Sequence, residues 1–164
     1  MRNILRLLFI FVLVSMFSIS YIQASEPADR SKNIAMDFKL QDLNQNTFTL
    51  SGYKDKQAVI LFFWTTWCPL CRNELRLLKG IYPELKKENL QLLAIDVGEP
   101  AYIVDKAVKD NALNFTVLLD RDTTMAWSYG VFGVPTYCII DKGGFVVFKD
   151  HYFPKERYKE LISQ

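Results

Sequence analysis

The sequence predicts an α/β fold in which a central mixed sheet is flanked by helices and preceded by a β-hairpin. Three observations lead there. Apolar runs of strand length alternate with segments of helical period, two stretches of alternating apolar and polar residues open the ordered part, and a second strand pair precedes a closing helix.

The elements follow in chain order. "MDFKL" and "TFTL", residues 36–40 and 47–50, alternate around "QDLNQN" and predict a short hairpin with Asn44 to Asn46 in its turn. "AVILFFW", residues 58–64, is apolar throughout, as a strand covered on both faces should be. After Cys68, Leu70, Leu75, Leu77, Leu78, Ile81 and Leu85 recur at helical spacing to about Glu88, with a kink expected at Pro83. "LQLLAIDV" from Leu90 is the next strand, and "PAYIVDKAVKDNA" from Pro100 a second helix opened by its proline. "FTVLLD" predicts a third apolar strand, and "TTMAWSYG" a short helix closed by Gly130. "TYCIID" and "FVVFKD" predict two strands around the turn "KGG", and residues 154–163 a last helix opened by Pro154.

The N-terminal residues have a different character. "MRNILR" supplies positive charge, "LLFIFVLVSMFSIS" an apolar run, and "YIQA" a small residue at Ala24, the order of a secretory signal. The stretch from Leu7 to Ile22 also approaches the roughly 20 apolar residues of a membrane span, so residues 1–24 are expected to be a signal peptide or a membrane anchor. Both place the remainder outside the cytoplasm. No cysteine stands near the cleavage region to accept a lipid. Residues 25–33, "SEPADRSKN", read as a polar linker, and residues 34–164 as the folded domain.

The chain has 20 basic and 18 acidic side chains, and without Arg2 and Arg6 the two signs balance at 18 each. Nothing then favours a nucleic-acid partner, which needs a basic face. Three cysteines are too few, and odd in number, for the disulfide framework of a small secreted protein.

Cys68 and Cys71 therefore need another explanation. As a staple, a disulfide closing so short a ring contributes only about 2 kcal/mol, against roughly 4.7 for a hundred-residue loop. A closed zinc site needs four ligands, and only Cys138 and the single His151 are at hand, the latter reading as a solvated or strand-end histidine. The chemical reading uses position: the pair falls where an apolar strand hands over to a helix, and Pro69 suits the first helical turn. Cys68 would sit at the helix N-terminus, where unpaired N–H groups and the dipole favour a thiolate and lower its pKa. Cys71, one turn on and shielded, would resolve the mixed disulfide that Cys68 forms. Cys138, inside an apolar strand, reads as a small buried hydrophobe.

"FFWTTWCPLC", followed by "GVPTYCIID" from Gly133, resembles the thioredoxin superfamily over nearly the whole domain. The opening hairpin, "AIDVG", the helix from Pro100 and "GVPTYCIIDKGGFVV" are similar to its exported TlpA/ResA-like branch of thiol-disulfide oxidoreductases. The resemblance implies a thioredoxin-like fold, a cis peptide at Pro135, substrate pairing along the backbone of Val134, and Trp67 bordering that surface.

Cytoplasmic thioredoxins carry a buried aspartate six residues before the first cysteine, where this chain has Phe62. Glu74, three residues beyond Cys71 on one helix face, is the expected alternative, since some TlpA/ResA-like members place an acid there. Buried beside a thiol, its carboxyl should titrate higher than usual and move the proton to and from Cys71. The competing reading is a solvated glutamate favoured by the helix dipole.

The expected function is exchange of electrons with cysteine pairs of exported proteins, with no bound cofactor. The resemblance further implies a reductant, service to apocytochrome c, re-reduction by a membrane thiol-disulfide electron transporter, and a place in the periplasm or on the outer face of a bacterial inner membrane. The chain is expected to act as a monomer. A dithiol oxidase is the first alternative within this chemistry; a non-catalytic peptide-binding or chaperone-like module is the alternative from another class.

Overall fold

The computed structural model describes residues 33–163. The expected signal or anchor, and the linker before Asn33, lie outside the described residues. Four helices and seven strands follow: β1 (Lys39–Asp42), β2 (Thr47–Thr49), β3 (Ala58–Trp64), α1 (Pro69–Lys87), β4 (Leu90–Val97), α2 (Ala101–Asp110), β5 (Thr116–Asp120), α3 (Thr124–Ser128), β6 (Thr136–Ile140), β7 (Val146–Asp150) and α4 (Tyr158–Ile162).

The strands form one sheet in the order β2-β1-β5-β4-β3-β6-β7. β3 lies parallel to β4 and antiparallel to β6, so the sheet is mixed, and the opening hairpin extends it through an antiparallel β1–β5 pairing. Every residue of β3 is buried, which explains its unbroken apolar sequence. Alternation then divides its side chains. Ile60, Phe62 and Trp64 face a layer containing Leu75, Leu78 and Leu85 of α1, Val104 of α2, and Tyr158 and Leu161 of α4. Val59, Leu61 and Phe63 face Met125 and Ala126 of α3 together with Phe38 and Leu50 from the hairpin region. Burying one such aliphatic or aromatic side chain is worth about 1.5–3 kcal/mol, so this central strand anchors both layers.

Helix α1 begins at Pro69 with Cys68 as its N-cap and continues through Pro83 to Lys87. Pro83 lacks the N–H that would bond the preceding turn, so the helix carries one gap in its ladder.

Two boundaries differ from expectation. β1 starts at Lys39, because the Asp37 carboxylate accepts the N–H groups of both Phe38 and Ser51 and ties the preceding backbone to the end of the hairpin. The turn is organised from its first strand, where Asp42 Oδ1 accepts from the Asn44 and Asn46 N–H groups, each at 2.8 Å. The last helix starts at Tyr158 and not at Pro154: the Pro154 carbonyl accepts from Arg157 and Tyr158 in a separate turn, and Arg157 caps the helix with φ at −121°.

Candidate active site

The strand-to-helix handover puts the two cysteines at the carboxyl end of β3 and the first turn of α1, with their Cα atoms 5.3 Å apart and their sulfurs joined as a disulfide. The Cys71 N–H, one of the orphan donors of the helix start, points at Cys68 Sγ at 3.1 Å. When the disulfide opens, that donor and the aligned peptide dipoles favour a thiolate at Cys68. Access is unequal: Cys68 is 4% exposed and Cys71 0%, while Trp67 and Leu70, on the outside of the same turn, are 69% and 57% exposed.

Across from this turn, the Val134–Pro135 peptide is cis, and the Val134 carbonyl oxygen lies 3.7 Å from Cys68 Sγ. Residues 68, 71, 134 and 135, distant in sequence, thus converge.

Glu74 is half-buried, and its Oε2 accepts a 2.7 Å hydrogen bond from the Tyr137 hydroxyl. Among the described residues the carboxylate's one hydrogen-bond partner is this phenol, while Glu74 itself stands three residues beyond Cys71 in α1. Tyr137 is fully buried, and its ring lies 4.7 Å from that of Phe62. Burial, and then the bond to Glu74, push the Tyr137 hydroxyl well above the usual phenol range, so it remains a proton donor to the carboxylate. Phe62 therefore supplies a packing surface for the phenol that addresses Glu74.

A second acidic group supports the loop before Cys68. Both Glu99 carboxylate oxygens bind Thr66, accepting from its N–H at 2.6 Å and its hydroxyl at 2.7 Å. Asp96 Oδ1 accepts from the Glu99 N–H at 3.3 Å, and Oδ2 is buried with no hydrogen-bond partner. Burial, followed by the neighbouring Glu99 carboxyl, pushes Asp96 up from 3.8 to about 8.

Cys138 is 1% exposed and packs on the sheet face opposite the Cys68–Cys71 pair, where burial pushes its thiol up to about 11. His151 stands just past the end of β7, with Nδ1 2.7 Å from the Pro135 carbonyl. Among the described residues no three His, Cys, Asp or Glu side chains cluster as metal ligands.

Tyr137, Asp96 and Glu99 are site neighbours that sequence reading missed, whereas His151, read as a solvated or strand-end histidine, does follow a strand end and there meets the Pro135 carbonyl. A weak signal existed for Tyr137, two residues after Pro135 and thus on the strand leaving the site. None pointed to the others.

Comparison with known proteins identifies the family. The AhpC/TSA family model matches residues 32–149. A thiol-disulfide oxidoreductase ResA of Geobacillus kaustophilus is 39% identical over 110 residues, 67% of this chain and 63% of that protein. The ResA of Bacillus cereus strain ATCC 10987 is 33% identical over 127 residues, 77% of this chain and 72% of the relative. The chain thus matches just under two thirds of the length of the first of these. A crystal structure assigned as a thiol:disulfide interchange protein DsbE from Chlorobium tepidum superposes with a TM-score of 0.71 at 25% identity, covering 80% of this chain and 94% of the other. The thioredoxin-like fold and the family match agree, and the chain belongs to the AhpC/TSA family of the thioredoxin superfamily, among its ResA-like members.

Proposed function

We propose that this chain is an extracytoplasmic thiol-disulfide oxidoreductase that reduces disulfides of exported proteins. The observation that carries the reading is the Cys71 N–H aimed at Cys68 Sγ at a helix N-terminus, with that sulfur facing the carbonyl beside a cis-proline. The relatives named ResA, which share the chain's main length, support the same chemistry.

In the reduced enzyme the Cys68 thiolate attacks one sulfur of a substrate disulfide. The substrate S–S bond breaks, a mixed disulfide forms, and the departing substrate thiolate takes up a proton. Cys71 then loses its proton and attacks Cys68 Sγ, which forms the Cys68–Cys71 disulfide and releases the second substrate thiol. Two electrons pass to the substrate; its two thiolates take up protons, one released by Cys71 by way of Glu74 and one from solvent. Glu74 accepts the Cys71 proton through Oε1, which has no hydrogen-bond partner among the described residues, while Tyr137 fixes Oε2. An extended substrate segment pairs with the Val134 backbone, and Trp67 covers its flank.

The haem-binding cysteine pair of apocytochrome c is the substrate that the TlpA/ResA-like resemblance favours, with a membrane thiol-disulfide transporter restoring the dithiol. Among the described residues no helix is long and apolar enough to cross a membrane, so retention at a membrane would fall to residues 1–24. Equilibration with glutathione or dithiothreitol tests the direction. A potential near that of thioredoxin, about −270 mV, supports a reductant, and one near −120 mV supports the dithiol oxidase instead.

A further inference from the structure

The residue whose backbone would receive substrate, Val134, is bracketed by two carbonyls that are each held by a side chain. Pairing between β6 and β7 stops at Tyr137 opposite Asp150. One residue on, the His151 N–H is bound by Asp150 Oδ1 at 2.6 Å, and the imidazole reaches back to the sheet end in place of the backbone. Its Nδ1 lies 2.7 Å from the Pro135 carbonyl oxygen and 3.4 Å from Thr136 Oγ1. The Thr136 hydroxyl donates to the Gly133 carbonyl at 2.7 Å. A carbonyl only accepts, so Nδ1 must carry the ring proton in this contact. Proline offers no N–H, which leaves that carbonyl as the one backbone polar group by which Pro135 can be held. With Gly133 and Pro135 both fixed, the Val134 carbonyl between them is directed toward Cys68 Sγ.

We propose that His151 is a positioning residue of the substrate-pairing loop: by donating Nδ1–H to the Pro135 carbonyl it holds the Val134 backbone against Cys68. The role rests on the thiol-exchange reading above, but its first test does not. The chain has one histidine, so a long-range nitrogen–proton correlation spectrum shows a single imidazole. In its singly protonated form the ring should carry the proton on Nδ1; a ring protonated on Nε2 would overturn the proposal.

The second test compares reduced wild type, His151→Leu and His151→Asn, whose amide can donate from about the position of Nδ1. The substrates are an oxidised peptide containing Cys-x-x-Cys-His and glutathione disulfide. Loss of one hydrogen bond that orders a docking strand should raise KM for the peptide about tenfold in the leucine variant, with kcat little changed, and asparagine should restore most of it. Glutathione disulfide, too small to use the strand, should react at the wild-type rate. An equal loss with both substrates, or no change in KM, would refute positioning. A wild type that reduces neither substrate would instead refute thiol exchange and leave the tautomer result standing by itself.

Discussion

Replacing Asp96 with asparagine should stabilise the oxidised protein at pH 7 while changing it little at pH 4. Asp96 is 1% exposed, one oxygen has no hydrogen-bond partner, and the other accepts only a 3.3 Å bond from Glu99 N–H. Burial and the adjacent Glu99 carboxyl raise its pKa in the fold to about 8, from 3.8. Below 3.8 both folded and unfolded chains hold the proton, and the group is neutral in either. Between 3.8 and about 8 the unfolded chain releases it and the folded chain does not, so Asp96 takes away stability as pH rises through this window. At roughly 1.36 kcal/mol per pH unit, the cost reaches about 4 kcal/mol at pH 7. Asparagine has nearly the same size and no proton to release. The stability difference between variant and wild type should therefore swing by about 4 kcal/mol in the variant's favour from pH 4 to pH 7. Urea unfolding of both oxidised proteins at each pH measures it, and taking the difference cancels the other titrating groups. A swing under about 1 kcal/mol would mean that Asp96 is ionised in the fold, and would refute the reasoning.

Three further outcomes follow from the site. Glu74→Gln should leave the fold intact and slow exchange at the Cys71 step; unchanged rates from pH 6 to 9 would remove Glu74 from proton transfer. Tyr137→Phe keeps the ring packed against Phe62 and deletes the donor to Glu74, so unfolding of the oxidised protein should show a loss of about 1–2 kcal/mol. Cys138, buried and pushed up to about 11, should be only about a thousandth thiolate at pH 8, so iodoacetamide should label Cys68 in the reduced protein long before it.

Much of the architecture is legible in the chain because its signals are local. β3 reads as a doubly covered strand since all seven of its residues are buried, and α1 reads from leucines repeated at the spacing that reaches the sheet. The active pair is legible for the same reason: Cys68, Pro69 and Cys71 fit within one helical turn. Pro154 misleads because a proline suits the start of a turn as well as of a helix, and which one forms depends on where Tyr158 finds its place in the core. The supporting shell is illegible for a different reason. The Tyr137–Glu74 bond spans 63 residues and exists only because β6 aligns Tyr137 opposite Phe62. Glu99 meets Thr66 across 33 residues, at the ends of two parallel strands. His151 reaches Pro135 only because the β6–β7 ladder ends one residue earlier. Such contacts are fixed by register, and register belongs to the assembled sheet.

The central claim is that Cys68 attacks and Cys71 resolves. Mass spectrometry of Cys71→Ser incubated with the oxidised Cys-x-x-Cys-His peptide tests it most directly. A stable one-to-one adduct, mapped by proteolysis to Cys68, is the predicted result; no adduct, or one mapped to Cys138, would contradict the account and leave peptide binding without catalysis as the better description.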